Sequence, residues 1–133
     1  MSAKLSFDLV SPERLLFSGA VDMVTLPGAE GDFGVLAAHA PVIALLRPGV
    51  IDIATSGQAA RRIYVRGGFA EVSAKGLTVL AEQAIPVDEI KRADIEQRLT
   101  TARGDLADAK TDQARKSAQE AIDQLTDLLA LAA

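Results

Sequence analysis

Hydrophobic and polar residues alternate with period two from Leu5 to about Ile85, and turn residues interrupt the alternation every eight to twelve positions. Leu5, Phe7 and Leu9 alternate with Ser6 and Asp8. Val21 to Leu26, Val50 to Ile53, Arg62 to Arg66, Phe69 to Val72 and Leu77 to Ala81 have the same character and are rich in Val and Ile. Ser11-Pro12, Gly19, Pro27-Gly28, Pro48-Gly49, Ser56-Gly57, Gly67-Gly68 and Lys75-Gly76 lie between them, each a preset φ or a residue tolerant of positive φ. Many short strands with no helical crossover between them predict a β-sandwich or barrel rather than a parallel α/β sheet.

After Pro86 the period changes. Asp88 is an expected N-cap with Glu89 in the first turn. Ile95, Leu99, Ala102 and Leu106 then draw one stripe at spacings of four, three and four. The pattern restarts after Lys110-Thr111-Asp112, where Ala114, Ala118, Ala121, Leu125 and Leu128 draw a second. Two such stripes joined by a short polar turn predict an antiparallel helical hairpin. The expected fold is therefore a mainly β N-terminal sandwich, residues 1–86, followed by a C-terminal α-helical hairpin, residues 87–133. Asp88–Arg92 and Asp94–Arg98 are expected i,i+4 ion pairs, each worth about 0.2–0.5 kcal/mol. An alanine-faced hairpin buries little apolar area, so it has to lean on the sandwich or on another protein, and it is suited to regulation.

Composition narrows the chemistry. The chain has 133 residues, enough for about one domain with an appendage, and a net charge of −4. No basic stripe is visible, and aromatics are only 4%, so neither a phosphate backbone nor stacked bases have a site, and nucleic acid is not an expected partner. Zero Cys excludes disulfides, thiolate zinc and thiol catalysis, and a single His leaves little for an imidazole metal site. No catalytic residue, metal ligand or cofactor is expected. The first residues carry no leader pattern, and the most apolar stretch, Leu36 to Leu46, is eleven residues interrupted by His39 and Pro41, too short to span a bilayer.

The string Pro27-Gly28-Ala29-Glu30-Gly31-Asp32-Phe33-Gly34-Val35-Leu36, followed by His39-Ala40-Pro41, invites a phosphate-loop reading. That reading needs a helix whose N-terminus receives the phosphate, and Pro41 and Pro48 leave none; Gly-Lys-Ser/Thr is absent throughout. The alternative is a compact turn region at one end of the sandwich, with Glu30 and Asp32 projecting into solvent. His39, with no second His and no Gly-x-Ser-x-Gly elbow, reads as a loop residue rather than a base.

This block, with Ser11-Pro12-Glu13, Phe17-Ser18-Gly19, Leu46-Arg47-Pro48-Gly49, Gly67-Gly68-Phe69 with Glu71-Val72, and Thr78-Val79-Leu80-Ala81 in the same order, closely resembles the epsilon subunits of bacterial F-type ATP synthases, counterparts of the mitochondrial delta subunit. The resemblance covers residues 4–86 and is weaker in the hairpin. It implies a non-catalytic central-stalk rotor subunit without turnover of its own. The gamma subunit and the c-ring of the membrane sector would be its partners, with alpha and beta possible partners through the hairpin. Its association with the membrane would be indirect, at the cytoplasmic face of the bacterial inner membrane. It places Glu30, Asp32 and His39 toward the c-ring, where an exposed carboxylate on a rigid loop helps to set register.

The resemblance also implies two hairpin activities from which this chain departs. Some members bind ATP through Leu/Ile-Asp-x-x-Arg-Ala. Here Ile90-Lys91-Arg92-Ala93-Asp94-Ile95 has Lys91 in the Asp slot and Asp94 in the Arg slot, while an alignment starting at Val87-Asp88 puts Lys91 in the Arg slot and Arg92 in the Ala slot, so weak or no ATP binding is expected. Other members inhibit hydrolysis through basic residues of the second helix. Lys91, Arg92, Arg115 and Lys116 are the candidate regulatory contacts here, while Glu120, Asp123 and Asp127 oppose docking on an acidic segment. A nucleotide-sensing module acting through the hairpin is the alternative function, and a small hydrolase or sugar-binding sandwich is a more distant one.

Overall fold

The computed structural model describes residues 4–37 and 41–132. The chain divides into two compact units, Met1–Pro86 and Val87–Ala133. The first contains strands β1 Leu5–Val10, β2 Leu15–Val21, β3 Met23–Gly28, β4 Gly31–Val35, β5 Val42–Leu45, β6 Gly49–Ala54, β7 Arg61–Ser73 and β8 Gly76–Pro86. They hydrogen-bond in the order β2-β1-β8-β7-β6-β3-β4, with β5 added on β7. Every named pairing is antiparallel except that of β1 with β8. The fold is the expected β-sandwich followed by a helical hairpin.

One continuous sheet becomes two layers because its longest strands bend. β7 pairs with β6 through Arg61–Val65 and with β5 through Phe69–Val72. Core positions on β7 are Ile63 and Val65 before the bend and Ala70 and Val72 after it, so the inward face passes from odd to even residues. A regular pleat cannot change face within a strand. The change occurs at Gly67 and Gly68, with φ of 73° and 107°. A Cβ on Gly68 would lie 2.0 Å from the Leu80 carbonyl oxygen, so only glycine admits this close approach of β7 to β8. The sequence suggests a turn between two strands at this point. A single bent strand forms instead because β8 runs unbroken opposite it, from Ile63↔Pro86 to Ser73↔Gly76.

Phe7, Leu9, Val24, Leu26, Ile51, Ile53, Ile63, Val65, Leu77 and Val79 fill the space between the layers and are almost wholly buried. Each such aliphatic or aromatic side chain contributes roughly 1.5–3 kcal/mol on leaving water. Two further differences from the linear pattern have local causes. Val21 to Leu26 is broken at Asp22, whose N–H bonds the Ala54 carbonyl at 2.9 Å and whose carboxylate is held by Lys4 and Ser56. Gly31–Val35, read as turn, is the strand β4, because Ala29-Glu30 closes a two-residue hairpin between the paired Gly28 and Gly31.

The second unit holds a 3₁₀ turn, Val87–Glu89, and helices α1 Arg92–Asp108 and α2 Asp112–Leu131. Ile95, Leu99 and Ala102 of α1 and Ala118 and Leu128 of α2 are buried. Leu106, Ala121 and Leu125 are half-buried, and Ala114 is exposed, so the second stripe is narrower at its start than the spacing implies. Thr111 caps α2 by accepting from the Ala114 N–H at 3.0 Å. Asp88 is not the N-cap of α1. It lies in the 3₁₀ turn, which places Ile90 in a buried position, and Lys91 occupies the N-cap without a side-chain capping bond. With the start displaced, Arg92 pairs with Glu96 at 3.9 Å instead of with Asp88, and no ion pair joins Asp94 to Arg98 among the described residues.

Candidate docking surface at the turn end of the sandwich

The β3–β4 hairpin ends in Ala29-Glu30, with Glu30 exposed. Asp32, first after Gly31, faces Pro27 across the hairpin, and its side chain is 62% exposed. The structure thus brings Glu30 and Asp32 onto one projecting turn, while His39 lies outside the described residues. The turn is fastened to the connection between β5 and β6. Ala29 N–H donates to the Leu45 carbonyl and Arg47 N–H to the Pro27 carbonyl, each at 2.9 Å, and Gly28 bridges to Leu46. The Arg47 guanidinium donates to the Asp32 carboxylate. Two charged residues 15 positions apart are therefore already partners, which no local spacing rule foretells.

Beside the turn an open cleft of about 470 Å³ is lined by Gly28, Phe33 and the β5 residues Val42, Ile43 and Leu45. Ile43 and Leu45 are each 69% exposed, large aliphatic side chains left in water next to one another but for Ala44. An apolar patch beside a rigid polar turn is the usual mark of a protein-binding surface. Sequence reasoning passed over these residues, although a signal was present. Val42 to Leu46 is apolar at every position, which means apolar side chains on both faces of the strand. In the fold, β5 pairs with β7, and Val42, Ile43 and Leu45 remain exposed.

A carboxylate is also anchored elsewhere on the sandwich. The Lys4 ammonium, then the Ser56 hydroxyl and Ser56 N–H, hold Asp22 down to about 2, well below the ordinary carboxylate range. This cluster ties the start of β1 to the β2–β3 corner and the turn after β6. Among the described residues no group of three or more His, Asp or Glu side chains is arranged to hold a metal ion. Among the same residues no helix is long and apolar enough to cross a membrane.

In the hairpin unit the four basic candidates do not converge. Lys91 and Arg92 begin α1, while Arg115 and Lys116 begin α2. Antiparallel packing puts the two pairs at opposite ends, separated by about 25 Å for a helix of 17 residues. Arg115 is paired with Asp112 in its own first turn. The groove between the helices is lined by Asp94, Gln97, Arg98, Thr101 and Asp105, two carboxylates against one guanidinium.

Comparison with known proteins follows the same division. Residues 4–87 match the family model of the ATP synthase delta/epsilon chain beta-sandwich domain. The chain is 54% identical over 128 residues to the ATP synthase epsilon chain of Parvibaculum lavamentivorans, covering 96% of this chain and 97% of that one. It is 47% identical over 133 residues to that of Maricaulis maris, covering 100% and 99%. Among solved structures it resembles a chain of the Euglena gracilis mitochondrial ATP synthase, described as OSCP/F1/c-ring in rotational state 1. That likeness has a TM-score of 0.80 at 25% identity and covers 96% of this chain and 81% of that one. A chain in the central stalk and c-ring of the Tetrahymena thermophila mitochondrial enzyme shares the fold, with a TM-score of 0.64 at 16% identity over 96% and 98% of the two chains.

Proposed function

Since the chain belongs to the ATP synthase delta/epsilon family, we propose that it serves as a non-catalytic rotor subunit of the central stalk. It joins the gamma shaft to the c-ring, so that ion-driven rotation of the ring reaches the catalytic head without slippage. The observation that carries this reading is the pairing of an exposed apolar strand, Val42–Leu45, with a stiffened acidic turn at one end of the sandwich. An apolar surface supplies most of the free energy of a long-lived contact, here assigned to gamma, whereas exposed charges set orientation. Glu30 and Asp32 are assigned to the ring side, and residues 1–86 to both contacts. The chain then lies at the cytoplasmic face of the bacterial inner membrane, held there through its partners.

The hairpin is the candidate regulatory element, with Lys91, Arg92, Arg115 and Lys116 as its basic contacts and the alpha and beta subunits as its targets. Those four contacts are divided between two ends, and Glu120, Asp123 and Asp127 follow Arg115 and Lys116 along α2. Such a distribution supports weak inhibition of hydrolysis at most. Two carboxylates in the interhelical groove likewise support weak or no ATP binding, since a polyphosphate would meet like charge there.

Reconstitution tests the principal claim. An ATP synthase depleted of this chain should regain ATP-driven ion pumping when the full chain is added back, with the chain retained one-to-one with gamma. Unchanged pumping, or a chain that washes off the complex, refutes it.

A further inference from the structure

Arg47 stands in the short connection between β5 and β6 and touches both strands of the β3–β4 hairpin. Its N–H donates to the Pro27 carbonyl at 2.9 Å, and its guanidinium Nη2 donates to Asp32 Oδ1. Pro27 and Asp32 are cross-strand partners, so one residue clasps the hairpin from both sides just before the turn. Gly49 keeps room for this arrangement. A Cβ there would lie 2.8 Å from Pro27 Cβ and 3.4 Å from Arg47 Nη1. The side chains of Asp32 and Arg47 are 62% and 45% exposed, so whatever docks on the turn meets the pair and not one member of it.

An untied carboxylate at a hairpin end samples several rotamers and presents a full negative charge. Tied at Oδ1, it keeps one orientation, leaves Oδ2 open, and has a positive charge alongside. Resting on the docking reading above, we infer that Arg47 is a positioning residue for Asp32. It converts the acidic turn into a fixed Arg–Asp pair of near-zero net charge. The partner segment that fits such a pair is a polar loop, with hydrogen-bond donors for Oδ2 and acceptors for the free guanidinium N–H groups. A strongly basic loop would have to displace Arg47 to gain the carboxylate. Glu30, exposed on the same turn, supplies the remaining negative charge.

The test is a double-mutant cycle on the full chain, titrated onto the depleted complex. Arg47→Gln and Asp32→Asn should each weaken retention roughly two- to fivefold, the range of a surface ion pair. The double variant should be no weaker than either single one, because both changes remove the same unit. Arg47→Lys should recover part of the loss, as it keeps the charge but not the planar fork. Thermal midpoints measured alongside should be unchanged within a few degrees. Losses that simply add, or an Arg47→Gln chain retained as well as the unaltered one, overturn the inference and leave the docking reading standing. An unaltered chain that is not retained at all overturns that reading, and this inference with it.

Discussion

Replacing Gly68 by alanine should be among the most damaging single-methyl changes available in the sandwich. Gly68 has φ of 107°, and an added Cβ would meet the Leu80 carbonyl oxygen at 2.0 Å and Ala81 Cα at 2.8 Å. Both are backbone atoms of the paired strand, so no side chain can swing aside. Holding a non-glycine residue at such a φ costs about 1–3 kcal/mol. Parting β7 from β8 to relieve the overlap costs about 1–3 kcal/mol more, by analogy with overpacked cores. The shift also strains the bond from Leu46 N–H to the Gly68 carbonyl, 3.1 Å long, which fastens the segment after β5. About 2–6 kcal/mol is a large part of a domain's usual 5–15 kcal/mol. Urea unfolding followed by tyrosine fluorescence reads the sandwich directly, because the chain has one Tyr and no Trp, and Tyr64 is buried on β7. The control is Gly57→Ala, where φ is 76° but nothing lies within 4 Å of the added Cβ, leaving only about 1–2 kcal/mol of conformational cost. If Gly68→Ala falls no further than Gly57→Ala, the close approach of the two backbones is not what bends the sheet, and the reasoning fails.

Four other outcomes are expected. Asp22, held near 2 by Lys4 and Ser56, stabilises the fold above the ordinary carboxylate value of about 4 and loses that contribution as pH falls toward 2, so the urea midpoint of Asp22→Asn should trail the unaltered chain at neutral pH and converge with it at about pH 2. Ile43→Asp, at a position 69% exposed, should change stability by less than about 0.5 kcal/mol in thermal unfolding yet weaken co-purification with gamma at least roughly tenfold. Thr111→Ala removes the acceptor of the Ala114 N–H and should cost α2 about 1 kcal/mol, visible as faster hydrogen exchange through its first turn. Calorimetric titration of the full chain with millimolar ATP should show no saturable binding, and a micromolar affinity would refute the charge argument drawn from Lys91, Asp94 and Asp105.

The hairpin shows where reading along the chain succeeds and where it stops. Spacing places Ile95, Leu99 and Ala102 on the inner stripe, and all three are buried. Cap preference points to a helix start at Asp88, but the N-cap is Lys91, three residues later, because cap preferences of about 1 kcal/mol yield readily to the placement of a buried side chain such as Ile90. At the candidate site, Glu30 and Asp32 were legible as an exposed acidic turn. Arg47 was visible only as part of a motif, and β5 only as an apolar run.

Periodicity of two, then of roughly three and a half, together with glycine and proline at the turns, already specified a sandwich followed by paired helices. Those preferences act between residues a few positions apart, and they survive in whatever context the segments find. The bend of β7 at Gly67-Gly68, the seating of β5 on β7, and the union of Arg47 with Asp32 belong to another order of information. Each depends on which distant segment lies opposite, and chain folding alone brings those segments within hydrogen-bonding reach. The stiffness of the turn and the exposed aliphatic strand beside it, the features on which the proposed docking rests, are therefore properties of the assembled sheet and not of any stretch of chain within it.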